Sequence, residues 1–351
     1  MADDLHAGRT PRATTDGLLV KDLCNRFLTA KHRKAEAGEL STAMFTDYKI
    51  IAELLVSEFG SDRMVENLAA DDFATLRAAT AKRWGPVRLG NSITRVTSVF
   101  KYAYDAGLID RPVRFGPEFV KPDKATLRKH RATSPAKTFT AAELRTLIDG
   151  NGTSKPDTVM RAMILLGVNC GFGNTDCAKL SLSVLDLANG WIDFPRPKTG
   201  IARRCPLWPE TVTALRIAIE ERPEPARDED ANRVFLTGRR MAFVTYGDID
   251  PSNPKNAGGG RKDVVGVRFR KLLTAVGLAS RNGVGFYALR HVFETVGGGS
   301  KDQVAVDTIM GHADPSMGAV YREHVDDARL KAAAEHVRRW VFGEDTRGHQ
   351  E

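Results

Sequence analysis

From Leu18 onward, apolar residues recur at three- and four-residue steps, with Val20, Leu23, Cys24, Phe27 and Leu28 on one face. That spacing predicts an amphipathic helix. A second run, over 45–59, gathers Ile50, Ile51, Leu54 and Leu55 on one side. The stretch 70–76 reads as a helix start, with Asp71 and Asp72 in its first turn. A fourth helix is predicted over about 91–106, carrying Ile93, Val96, Val99, Phe100, Tyr102 and Ala103, with Gly107 as its stop. Together these form a helical unit over 17–110, behind a polar arm at 1–16 that is expected to be disordered.

Over 111–138 the periodicity lapses. Pro112, Pro117, Pro122 and Pro135 punctuate a stretch in which Arg111, Arg114, Lys121, Lys124, Arg128, Lys129, Arg131 and Lys137 face only Glu118 and Asp123. The expectation is an extended basic linker without a helix, its cations placed to follow a phosphate backbone. Periodicity returns at Phe139. Thr140 and Glu143 have the spacing of a capping box, and 159–168 is a strongly apolar helix. Two short strands, 191–194 and 203–207, flank a turn at 195–200. Helices are predicted over 210–220 and 267–273, separated by an insert containing Gly258, Gly259 and Gly260, and a last helix spans about 328–340. The chain therefore reads as mainly α with a small antiparallel sheet. Its second domain spans 139–345, and a short tail follows at 346–351.

Composition narrows the function classes. The chain has 351 residues, 42% hydrophobic, enough for two cores of ordinary size. Lys and Arg number 52 against 44 Asp and Glu, a net charge of +8 that favours a polyanionic partner. Cys24, Cys170, Cys177 and Cys205 form no CxxC pair, which argues against a zinc ribbon or a redox motif and for free thiols in a reducing compartment. No apolar run approaches the roughly 20 residues of a membrane helix. The polar start of the chain lacks the apolar core of a secretion signal. A cytoplasmic location, no membrane association, and neither metal nor cofactor are expected.

The chemistry lies in four short segments. Lys198-Thr199-Gly200 falls in the predicted turn. Tyr287-Ala288-Leu289-Arg290-His291 and Met310-Gly311-His312 follow, and Tyr321 stands nine positions beyond His312. In order and spacing these segments resemble the tyrosine recombinase (phage integrase) family. There an "H-x-L-R-H" motif, an "L-G-H" motif with a tyrosine nine residues later, and a hairpin lysine mark the catalytic domain. The resemblance covers nearly the whole chain. It implies a helical, SAM-like core-binding domain ahead of an α+β catalytic domain, double-stranded DNA as partner and a homo-tetramer on that DNA. The implied reaction is site-specific cutting and rejoining through a 3′-phosphotyrosyl intermediate, in integration by a phage or other mobile element.

The implied catalytic set is Tyr321, Arg290, His312, Lys198 and Tyr287, and the residue types suit it. A phenol of pKa about 10 is neutral until it attacks. A guanidinium can pair two phosphate oxygens at once, and an imidazole can donate to an oxygen or move a proton. The lysine would protonate the departing 5′ oxygen. His291 is expected to pack rather than to act. In the family the last helix commonly docks on a neighbouring protomer; packing back on its own domain is the alternative.

Two positions depart from the pattern. The family's "T-G-x-R-x-x-E" reads Cys170-Gly171-Phe172-Gly173-Asn174-Thr175-Asp176, so Gly173 replaces the first catalytic arginine, while Asp176 keeps the acid's place. Tyr287 stands where the second motif begins with histidine. Arg161, Arg203 and Arg204 are the cations near enough in sequence to fill the gap. Two other readings stay open: a DNA-binding protein of this fold with impaired cleavage, and a helical interaction protein without a nucleic-acid role.

Overall fold

The computed structural model describes residues 17–247, 261–278, 283–313, 321 and 323–343. The arm at 1–16, the triple glycine at 258–260 and the tail at 346–351 lie outside these residues. The chain divides into two compact units, Met1–Ser134 with Tyr246–Arg261, and Pro135–Thr245 with Lys262–Glu351.

The first unit is built from helices α1 (Val20–Glu36), α2 (Thr42–Phe59), α3 (Ala70–Arg83), α4 (Pro86–Asp105) and α5 (Lys124–Thr133). Leu23, Phe27, Leu55, Phe73, Leu76, Val99 and Phe100 are buried at its centre. Phe73 is the hub, with the rings of Phe59, Phe100, Phe115 and Phe119 edge-on at centroid distances of 4.9–5.5 Å. Phe115 and Phe119 come from the stretch expected to be a bare linker. Apolar side chains fold its first half onto the unit, and a helix, α5, occupies its second half. The prolines bound this helix instead of breaking it: none falls within 124–133. The Asp123 side chain accepts from the backbone N–H of Thr126 at 2.6 Å, capping the first turn.

The second unit is centred on α7 (Thr158–Asn169), which follows α6 (Ala141–Asp149). The expected Thr140–Glu143 capping box is formed. From Ala162 to Asn169 every residue of α7 is buried, as a helix apolar on all sides must be. A three-stranded antiparallel sheet follows, in the order β1 (Leu185–Asp186), β2 (Trp191–Asp193), β3 (Arg204–Pro206), with Trp191 opposite Pro206 and Asp193 opposite Arg204. Asn169 ties this hairpin to the helices. It donates to Pro206 O and accepts from Trp208 N and Thr211 Oγ1, at 2.8–2.9 Å. The remaining helices are α8 (Asn174–Lys179), α9 (Pro209–Glu220), α10 (Val264–Ala275), α11 (Ala288–Gly297), α12 (Gln303–Met310) and α13 (Asp327–Phe342). β4 (Val244–Tyr246) and β5 (Arg261–Asp263) pair as a two-stranded sheet.

α7 and α11 approach closely because residue 167 is glycine: a Cβ there would lie 2.8 Å from Leu289 Cδ1. The last helix, α13, packs on its own unit. It buries Leu330, Ala333, Ala334, Val337 and Val341; its Ala334 carbonyl accepts from Trp208 Nε1, and Arg338 grips Glu210. Among the described residues, no helix is long and apolar enough to cross a membrane.

Candidate active site

Arg290 sits in the first turn of α11, which the buried Phe286 and Leu289 anchor in the core. Its own residue is 2% exposed. Nη1 donates to Gly171 O at 2.7 Å and Nη2 to Met310 O at 2.8 Å, so the guanidinium is fixed between the end of α7 and the end of α12. Among the described residues no carboxylate pairs with it. Burial, and next the nearby Arg196 cation, lower its pKa from the usual guanidinium value. It remains a cation at any working pH.

Gly173 opens α8. Its N–H donates to Asp176 Oδ2 at 2.7 Å, and Asp176 Oδ1 accepts from Arg203 Nη2 at 3.3 Å. Arg203 is sealed in: its side chain has no exposed surface, Nε donates to Phe194 O, and the guanidinium lies 4.3 Å from the centroid of Phe172 and 5.2 Å from that of Phe194. Its Nη1 is buried without a hydrogen-bond partner among the described residues. The space a side chain at Gly173 would enter is taken by Tyr287, whose Cδ2 and Cε2 lie 3.1 Å from where a Cβ would stand. The two departures from the family pattern thus face each other. Tyr287 itself is 47% exposed.

Gly311 ends α12 in the left-handed conformation, φ +62°, and a Cβ there would come within 2.6 Å of Arg203 Cγ. Only glycine satisfies both the angle and the space. The next residue, His312, turns Nδ1 to Asp307 Oδ1 at 3.1 Å, with Glu294 Oε2 at 3.6 Å. Gln303 donates to both carboxylates. These three side chains, Glu294, Asp307 and His312, offer ligand atoms within 4.8 Å of one another, enough for a cation. As they stand the two acids orient the imidazole, a role that motif spacing could not reveal because Glu294 and Asp307 lie outside the motifs.

The cations named from sequence separate cleanly. Arg161 pairs with Asp149. Arg204 pairs with Asp193 and Asp327 over the Trp191 ring. Arg203 is in place but enclosed. Arg196, which sequence reasoning passed over, enters the β2–β3 hairpin two positions before Lys198, and its Nη1 lies 3.4 Å from Gly311 O. Lys198, at the hairpin turn, is exposed and has no hydrogen-bond partner among the described residues. Tyr321 is 80% exposed, and among the described residues no hydrogen bond joins it to Arg290 or His312. The structure therefore groups Arg290, Tyr287, Asp176, Arg203, Arg196 and His312, and leaves Lys198 and Tyr321 at the surface.

A cleft of about 270 Å³ opens beside Tyr287, with Lys137, Asn174, Arg270 and His291 on its walls. His291 packs edge-on against the Tyr287 ring at 5.5 Å. Partial burial, then the cations Lys137 and Arg290, hold its pKa below the usual 6.5.

Residues 137–328 match the phage integrase family. Three solved structures share the fold. The Tn1549 transposon integrase in complex with transposon right-end DNA superposes with a TM-score of 0.62 at 15% identity, over 92% of this chain and 100% of that one. A lambda integrase dimer on a COC′ core site gives 0.60 at 13%, over 88% and 100%. A lambda integrase tetramer on a Holliday junction gives 0.58 at 13%, over 93% and 86%. No curated protein sequence matches the chain.

Proposed function

Because the chain belongs to the phage integrase family, we propose that it is a site-specific recombinase that cuts and rejoins double-stranded DNA through a 3′-phosphotyrosyl intermediate. The observation that carries this reading is Arg290, a buried guanidinium held by two carbonyls with no acid among the described residues to neutralise it. Such a preorganised cation is suited to the charge that grows on a phosphorus centre during displacement.

In the proposed reaction the Tyr321 oxygen attacks phosphorus. The bond to the 5′ oxygen breaks as the bond to the phenol forms. With the Nδ1 proton directed at Asp307, His312 Nε2 keeps a lone pair and takes the phenol's proton. Lys198 gives a proton to the departing 5′ oxygen. Arg290 binds non-bridging oxygens, and Tyr287 donates a hydrogen bond to them from a phenol that, unlike histidine, cannot become cationic. The phosphodiester energy is kept in the new ester, so a second strand's 5′-hydroxyl reverses the step without ATP.

The proposed division of labour along the chain is core-binding residues 17–110, a basic connection at 111–138 and catalytic residues 139–345. DNA-bound relatives, one of them a tetramer, support double-stranded DNA as partner, a tetramer as the working assembly, and a place in a phage or other mobile element. The cytoplasm is the location proposed. A second reading, DNA binding with impaired cleavage, is favoured by Gly173 and by the exposure of Tyr321. A nicked suicide substrate decides between them. Wild-type protein should give a covalent protein–DNA band that Tyr321→Phe abolishes; DNA retention with no such band from wild type, on its cognate site, selects the second reading.

A further inference from the structure

We propose that Arg196, on the β2–β3 hairpin, supplies the guanidinium that the family pattern would place at residue 173, and that Arg196 and Arg290 together clamp the phosphate oxyanion. This rests on the function proposed above and names the second cation of that site.

The geometry is specific. Arg290 Nη2 lies on Met310 O and Arg196 Nη1 on Gly311 O. These are successive carbonyls of one segment, so the two guanidinium groups converge from α11 and from the hairpin onto the same place. The Arg196 contact, at 3.4 Å, is long for a hydrogen bond, and its remaining side-chain donors are uncommitted among the described residues. Among those residues neither arginine has a carboxylate partner. Asp176, whose charge acts on Arg290, already pairs with Arg203. Two like charges held together without a counter-ion repel, and a dianionic transition state relieves that repulsion by bonding to both.

The alternatives fail on position. Arg161 and Arg204 are committed to acids elsewhere. Arg203 is committed too: it pairs with Asp176, donates to Phe194 O and lies against the rings of Phe172 and Phe194. A side chain at residue 173 would press on the Tyr287 ring, 3.1 Å from where its Cβ would stand. Arg196 is half-buried, so it reaches both the interior carbonyl and solvent. Gly311, with no Cβ, is what admits it: a Cβ at 311 would stand 3.1 Å from Arg196 Cβ.

The test uses orthovanadate as the oxyanion, titrated into the full chain and followed by calorimetry. Arg196→Gln should weaken binding by about ten- to a hundredfold, the loss expected for one charge-assisted contact. Arg196→Lys should recover part of it, and Arg161→Gln should match wild type. Unchanged binding in Arg196→Gln, or no vanadate binding by wild type, overturns the clamp. The covalent-complex assay separates this from the function itself. Vanadate binding that depends on Arg196 without any DNA adduct leaves the clamp standing and removes the recombinase reading. An adduct formed at the wild-type rate by Arg196→Gln does the reverse.

Discussion

Asp176 joins two residues that the sequence separates, accepting from the Gly173 backbone and from the Arg203 guanidinium. Asp176→Ala would strand a buried arginine. Removing one partner of a buried pair costs about 3–5 kcal/mol, so denaturant unfolding of the full chain should show a loss in that range, and Arg203→Met in the same background should restore part of it. A loss under about 1 kcal/mol, typical of a surface pair, would contradict the enclosure of Arg203. For His291 the burial and the two cations that face it favour the neutral ring. Its imidazole resonances should titrate with a midpoint below 6.5, rising towards that value when Lys137 is changed to Gln; a midpoint above 6.5 would show that Glu294 outweighs them. Motif spacing singled out Arg290, His312 and Tyr287 as candidates, and marked Asp176 as the family's structural acid. It could not single out Arg196, because nothing in Pro195-Arg196-Pro197-Lys198 says which hairpin cation turns inward. That depends on the absent Cβ at Gly311, far along the chain.

At the level of elements, α13 tests how the second unit is closed. Leu330 is fully buried on it, whereas Trp340 is exposed. Leu330→Ala should destabilise the monomeric chain by about 2–5 kcal/mol, and Trp340→Ala should change it by no more than about 0.5 kcal/mol. Equal, small effects in thermal melts would mean that the helix seats elsewhere. The helix was legible from its apolar spacing, as were α1 to α3, α6, α7, α9 and the β2–β3 hairpin. The misses have local causes. α4 begins at Pro86, five positions ahead of the expected start, because proline at the first helical position needs no N–H partner. β1 is two residues long, too short for any alternation to register. α5 was hidden by prolines that prove to be its borders.

For the molecule as a whole, the surplus of +8 is concentrated where acids are few. On α5, Lys124, Arg128, Lys129 and Arg131 are exposed, and among the described residues they have no ion-pair partners. DNA affinity should therefore fall steeply with salt. Replacing Arg128, Lys129 and Arg131 by Gln should reduce the slope of log affinity against log salt by up to about 2–3, near 0.9 for each phosphate no longer neutralised. Filter binding across a salt series measures it; an unchanged slope would show that this helix stays off the backbone.

The packing of the Tyr287 ring over Gly173 has an evolutionary corollary. The two positions should be epistatic, with the order of substitution mattering. Gly173→Arg alone meets the aromatic ring at its first carbon, while Tyr287→His alone merely vacates space. A route back to the family's usual residues is therefore open in one direction and obstructed in the other. A double-mutant cycle should show Gly173→Arg tolerated far better after Tyr287→His than before it.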